Sequence, residues 1–472
     1  MATSNFKFDI IASQIAKRII RSILFPYALQ LLTLIVFIAL VVNGFLTGTD
    51  ASYGTNLTPI IRKTNLTTLL VWGMWWPGLI LTTIVLGRIW CTVCPMEFVS
   101  NLANRTAGRF SINGIRLSAW LRSGYIILLS YVVLQLMVAG FQVHRTPLYS
   151  SYVLLGLLSL SLLIGFLFKE PRAFCKGFCP ASLLLNTYSF LNPVKLMKNN
   201  DDICIQCDTK DCVLKENRDK FDARSCPSYL RPFDLTKYDS CVICFQCAKV
   251  CPKDNIGFGV VNSSLQHKIG KSVSFASALF IFIASGFVSH ELFAETSGLD
   301  DVFHLAPKWL SERFGMPSLF PWFEALWFLL ILPTVFFCLV WGTSFFSKIR
   351  YSFVEFITRI ALYLVPVLAA GHAMKAIIKI NSWSLYLPFA ISDPIGIRTA
   401  KKFVSGNMQA IQPVFPDILT FVFAALLLIC SVIVARKMVR ERLERDFHPT
   451  AYIGISVLVC LYSVVILNLI SQ

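Results

Sequence analysis

Cys241-Val242-Ile243-Cys244-Phe245-Gln246-Cys247-Ala248-Lys249-Val250-Cys251-Pro252 is the stretch on which the reading of this chain turns. Its spacing, C-x2-C-x2-C-x3-C-P, lets three thiolates hold one iron–sulfur cubane while the fourth reaches a second. A looser copy lies upstream as Cys204-Ile205-Gln206-Cys207, then Cys212, then Cys226-Pro227. With the fourth cysteines exchanged, Cys204, Cys207, Cys212 and Cys251 form one [4Fe–4S] ligand set. Cys226, Cys241, Cys244 and Cys247 form the other. A zinc ribbon also pairs C-x2-C ligands, but a tight four-cysteine run closed by proline fits zinc poorly.

Outward from this stretch the chain turns apolar. Of 472 residues, 56% are hydrophobic and only 15% charged, with a mean hydropathy of +0.65. A soluble domain carries roughly a quarter charged residues. The deficit excludes a soluble multidomain enzyme, a disordered scaffold and a small disulfide-stapled secreted protein. The expected fold class is an all-α polytopic membrane bundle of about nine transmembrane helices, each about 20 residues long. They fall near Leu24–Asn43, Leu66–Leu86, Trp120–Val143, Tyr152–Phe168, Ser272–Ser289, Phe323–Phe345, Ser352–Gly371, Ile418–Ala435 and Tyr452–Ile470. The first run follows Lys17, Arg18 and Arg21 and is too long for a signal peptide.

The net charge of +17 is explained by topology. Lys and Arg gather in the segments expected on one face, from Lys7–Arg21 through Arg88–Arg122, Lys169–Lys271, Lys348 and Arg350 to Arg436–Arg445. The opposite face carries Glu291, Glu295, Asp300, Asp301 and Glu312 against Lys308 and Arg313. The basic face is therefore read as cytoplasmic, the N-terminus with it and the C-terminus outside. Contact with membrane lipid is expected, and nucleic acid is not. One outer segment dissents: Lys375, Lys379, Arg398, Lys401 and Lys402 have little acid nearby in sequence. The one-turn spacing of Lys375 and Lys379 suggests a short interfacial helix there.

Twelve of the 15 cysteines fall in groups on the cytoplasmic face, where thiols stay reduced. Besides the eight above, Gly87-Arg88-Ile89-Trp90-Cys91-Thr92-Val93-Cys94-Pro95 follows the second span. Pro171-Arg172-Ala173-Phe174-Cys175-Lys176-Gly177-Phe178-Cys179-Pro180 follows the fourth. Each unit runs Arg, one residue, an aromatic, then a cysteine pair closed by proline, which makes a parallel internal repeat. Cys91, Cys94, Cys175 and Cys179 can hold a third Fe–S cluster, a zinc ion or a reversible dithiol. Cys338, Cys430 and Cys460 stand alone within spans and read as small buried hydrophobes.

At these residues the sequence resembles the polytopic membrane ferredoxins. That family includes the quinol-dehydrogenase membrane component of periplasmic nitrate reduction, the membrane donor for nitrous-oxide reduction and an iron–sulfur copper reductase of oxidase assembly. The resemblance covers roughly Arg21 to Gly257, with Cys175, Cys179 and Pro180 conforming. Cys91 and Cys94 depart from it, having two intervening residues instead of three. It implies N-terminal spans and an inserted cytoplasmic ferredoxin-like α+β domain with two [4Fe–4S] clusters, which the apolar pattern bounds at residues 1–168 and 169–271; the further spans over 272–472 are read from that pattern alone.

The second half adds candidates of its own. His290 and His372, at helix ends, can serve as axial ligands of a b-type haem; interfacial histidine is the plainer reading. Trp72, Trp75, Trp76, Trp322 and Trp327 can flank a quinone, or simply anchor the spans. Glu355 and Arg359 make an i,i+4 pair near lipid depth. No C-x-x-C-H, Walker, dinucleotide or nucleophile-elbow motif occurs. The expected function is an oxidoreductase component of a bacterial cytoplasmic membrane, quinol dehydrogenase-like. It would pass electrons between the quinone pool and a redox protein partner or complex subunits through two or three Fe–S clusters. A copper-reducing maturation factor and a structural relay subunit are the alternatives.

Overall fold

The structure, a computed structural model, describes residues 6–111, 114–218, 220–233, 241–261, 273–295, 297–345, 352–409, 417–442 and 448–471. Lys348, Arg350, Arg445 and the start of the fifth expected span at Ser272 lie outside these residues. The main helices are α1 Tyr27–Thr47, α2 Leu66–Leu86, α3 Pro95–Arg109, α4 Tyr125–Gly140, α5 Pro147–Leu167 and α6 Phe275–Phe293. They are followed by α7 Ser297–Arg313, α8 Pro317–Ser344, α9 Phe353–Trp383, α10 Asp417–Arg442 and α11 His448–Ser471. Eight of them (α1, α2, α5, α6 and α8–α11) are long and apolar enough to cross a membrane, which makes this a multi-pass membrane protein.

Three expectations need correction. The third span, expected over Trp120–Val143, has a 3-10 turn at Leu121–Ser123 and is α-helical only over the 16 residues of α4. At 1.5 Å per residue that is about 24 Å, short of a ~30 Å hydrocarbon layer. Gly124, with a positive φ of 95°, starts the helix late, and α4 ends at Gly140. The seventh span does not stop at Gly371: α9 runs 31 residues to Trp383, so His372, Lys375 and Lys379 belong to it and no separate interfacial helix forms there. Cys338, Cys430 and Cys460 are exposed on their helices, not buried. Apolar composition marks a span but not its inner face, because lipid accepts the same side chains as the protein interior.

The chain divides into two units. The first comprises residues 1–38, 82–123 and 156–270. It contains a three-stranded antiparallel sheet of β1 Phe6–Asp9, β2 Val194–Lys198 and β3 Ile256–Val261, in the order β1-β3-β2. Register pairs Val194 with Val260 and Lys198 with Ile256. Three residues separate Cys251-Pro252 from strand β3, so the end of the cysteine run is tied to the central strand. Ile11, Val194, Leu196, Phe245, Ile256 and Phe258 form the core beneath it, with Cys212, Cys241 and Cys251 packed against them. Gly259 is required on β3, since a Cβ there would come within 1.9 Å of the Phe8 carbonyl oxygen.

The second unit comprises residues 39–81, 124–155 and 271–472. Its axis is α9, whose residues from Ile360 to Ala376 are all buried. The basic segment is not without acid: Lys375 Nζ lies 2.5 Å from Glu295 Oε1 and 4.0 Å from Glu291 Oε2, and Arg398 lies 3.6 Å from Asp393. The acids that balance Lys375 come from the end of α6, some 80 residues upstream. Separation along the chain had hidden the pairing. Arg359 and Glu355 do pair, at 2.7 Å on one turn of α9.

Candidate functional site

Two proline-closed loops bring the spanning-helix cysteines into the first unit. Gly87 ends α2 in the left-handed region (φ 68°), its N–H bonded to the Thr83 carbonyl, and the chain turns into the short helix Trp90–Val93 that carries Cys91. Pro95 then opens α3. In the second copy Arg172, also left-handed (φ 65°), caps the short helix Ala173–Gly177 that carries Cys175. Cys179 accepts backbone hydrogen bonds from Ala181 and Ser182, and Cys94 from Met96 and Glu97. The four thiols lie within electrostatic reach of one another: Cys175 feels Cys179, Cys94 and Cys91, and Cys179 feels Cys91.

The eight remaining cysteines gather in two cavities of similar size. One is lined by Cys204, Cys207, Cys212 and Cys251. The other is lined by Cys226, Cys241, Cys244 and Cys247. In the second, Ile243 and Phe245 adopt positive φ of 52° and 57°, a cost of about 1–3 kcal/mol each that turns successive cysteines inward. Asn255 donates from Nδ2 to Cys204 Sγ at 3.2 Å and from its backbone to Cys251 Sγ at 3.4 Å. Cys226 accepts from the backbone of Ser228 and Leu230.

The donor chemistry fits iron–sulfur clusters. Burial pushes the Cys212 and Cys241 thiols up to about 12 and Cys179 to about 11. Such groups ionise only against a bound cation. Each set of four cysteines lines a single cavity, which is the ligand number of one cubane cluster.

The three thiol sets are linked in series. Thr92, between Cys91 and Cys94, has its hydroxyl 2.8 Å from the Ile243 carbonyl, inside the Cys241–Cys244 turn. Arg172 is 3% exposed and lies near both Cys175 and Cys244. It donates from Nε to Glu97 Oε1 at 2.9 Å, and Gln30 and Arg224 also reach this buried carboxylate. The Cys226 N–H donates to the Cys212 carbonyl at 3.0 Å, and Cys247 feels Cys212. Sequence reading singled out the cysteines but missed Glu97, Arg224 and Asn255, which carry no motif; Arg172 was visible only as part of the repeat. A cavity beside them is lined by Arg105, Arg109, Lys169, Lys215, Arg218 and Arg224, and among the described residues no acidic side chain lines it.

The other candidates lie in the second unit. His372 packs edge-on against Phe287, and Glu291 is in electrostatic reach. His290 instead stacks on Phe328 and faces Glu324 and His304. Trp72 donates to Ser150 Oγ at 2.9 Å, and Trp322 packs edge-on against Phe141.

A 4Fe-4S binding domain model matches this chain in two blocks, residues 68–113 and 152–194. The blocks coincide with the two halves of the repeat and include Cys91, Cys94, Cys175 and Cys179. The chain is thus an iron–sulfur protein, and the domain supports an electron-transfer role. It is similar to two uncharacterized proteins of Methanocaldococcus jannaschii. One is 27% identical over 201 residues, covering 38% of this chain and 75% of that protein. The other is 27% identical over 182 residues, covering 38% and 67%. No solved structure matches.

Proposed function

We propose that this chain passes electrons between the membrane quinone pool and a redox protein partner, through two [4Fe–4S] clusters and a third at Cys91, Cys94, Cys175 and Cys179. The observation that carries the reading is the series of three thiol sets, joined by Thr92 to Ile243 and by Cys226 to Cys212. When bound, the clusters supply one-electron chemistry. The chain's own residues hold and tune them: Asn255 by hydrogen bonds to sulfur, Arg172 by a buried positive charge, Phe245 and Ile256 by excluding water. The basic cavity offers an acidic partner a complementary surface. The excess of Lys and Arg in the segments on that face supports a cytoplasmic cluster side in a bacterial membrane. In membranes, a quinol analogue should reduce the clusters and bring up their low-temperature EPR signals. Unchanged spectra would remove quinone from the scheme.

One observation favours a second reading, copper reduction. Met96 Sδ lies 3.8 Å from Cys94 Sγ, and a thioether beside a thiol is a soft donor pair suited to Cu(I). Formation of cuprous product without any response of the clusters to quinol would select it.

A further inference from the structure

Three groups that electron transfer leaves unused converge at one end of the second unit. His290 lies near the end of α6, His304 in α7 and Glu324 in the first turns of α8. One ligand atom from each lies within 4.8 Å of the other two. His304 Nε2 is 2.7 Å from Glu324 Oε1. Its other nitrogen, Nδ1, lies 3.2 Å from Asp300 Oδ1, one turn back on α7. With a cation bound, that carboxylate would hold the proton on Nδ1 and leave the Nε2 lone pair for the metal. His290 Nε2 is 3.7 Å from the same Glu324 oxygen. Phe328 stacks flat on the His290 ring at 4.3 Å, and Phe303 packs at 5.4 Å, which fixes its plane.

An imidazolium clamped between two carboxylates accounts for His304 but not for His290. At 3.7 Å the His290 Nε2 is beyond hydrogen-bond range, and its buried Nδ1 has no partner among the described residues. An imidazole left in that state costs about 1–3 kcal/mol. Yet 3.7 Å is close to the separation of two donors that each sit about 2.0–2.2 Å from one ion. Two imidazoles and one carboxylate, with a further carboxylate on the remote nitrogen of one imidazole, form a donor set for a divalent transition metal.

We propose that His290, His304 and Glu324 bind one divalent cation of borderline softness, zinc being the representative, with Asp300 orienting His304. The His304–Glu324 contact opens by about half an ångström to admit the ion, and a fourth position is left to water. None of the twelve grouped cysteines takes part. In this arrangement His290 is engaged by the cation and is not a haem ligand.

The test uses the full-length protein in detergent, stripped with a chelator, loaded with zinc chloride and desalted. Zinc and iron are then counted by mass spectrometry, iron serving as the measure of intact protein. Wild type should retain one more zinc per chain than His290→Ala, His304→Gln and Glu324→Gln, at equal iron. Asp300→Asn should keep that zinc but bind it 10–100-fold more weakly. Zinc chloride should raise the melting midpoint of wild type and leave those of the three ligand variants unmoved. Equal zinc in wild type and all three variants overturns the proposal. So does a loss of metal-free stability in the variants with no difference in zinc, which would leave the imidazolium clamp as the explanation.

Discussion

Asn255 touches two sulfurs of one thiol set, and N–H···S bonds to a cluster stabilise its reduced form. Asn255→Ala should therefore lower the midpoint potential of the cluster at Cys204, Cys207, Cys212 and Cys251, leaving the neighbouring set nearly unmoved. An EPR-monitored redox titration reads both, and equal potentials in variant and wild type would refute the role. Arg172 and Glu97 allow a sign test at the next set. Removing the buried cation with Arg172→Gln should lower the potentials near Cys175 and Cys244, and removing the anion with Glu97→Gln should raise them. Each variant breaks this pair at about 3% exposure or less, leaving Arg172 without its carboxylate or Glu97 with only Gln30 and the more distant Arg224, at a cost of up to about 3–5 kcal/mol. The double variant should recover part of that stability. Of these residues only Arg172 stood in a legible pattern. A single Asn or Glu becomes significant when folding places it against a sulfur or a guanidinium.

The extension of α9 past Gly371 changes what its basic residues do. Lys375 joins α9 to the end of α6 through Glu295, Glu291 and the Glu291 carbonyl. Lys375→Ala should cost about 1.5–3 kcal/mol, the usual worth of hydrogen bonds to a charged group, and lower the melting midpoint. Lys375→Arg should restore most of it. In the turn between α4 and α5, burial, then Lys379 and Arg145, push the partly buried His144 down to about 3. The unfolded chain binds that proton near 6.5, so His144 contributes full stability above that pH and loses it as pH falls toward 3. Melting midpoints of His144→Gln should fall less steeply between pH 7 and 5 than those of wild type; parallel curves would contradict this. The existence of these helices was legible because apolar runs of about 20 residues have few other stable forms. Their inner faces and the end of α9 were not. Inside a bilayer both faces of a helix are apolar, and Lys375 is tolerated only because α6 supplies its partners.

For the molecule as a whole, three clusters in series require about twelve irons and twelve sulfides per chain, and two require about eight of each. Replacing Cys175 and Cys179 together by Ser should take the count from the higher figure to the lower. A count of eight in wild type would return Cys91, Cys94, Cys175 and Cys179 to dithiol or metal chemistry. Reduction through an acidic partner at the basic cavity should slow as salt rises, because rim charges act mainly on encounter. By itself the sequence determined that this is a multi-pass iron–sulfur protein. Span length is fixed by the thickness of lipid and ligand spacing by the size of a cluster, and both constraints act on short stretches of chain. Which thiol set lies beside which, what charge sits between them, and that His290 meets His304 and Glu324 were decided only by the tertiary structure. Those relations join residues far apart in the chain, and no local pattern encodes a distance between them.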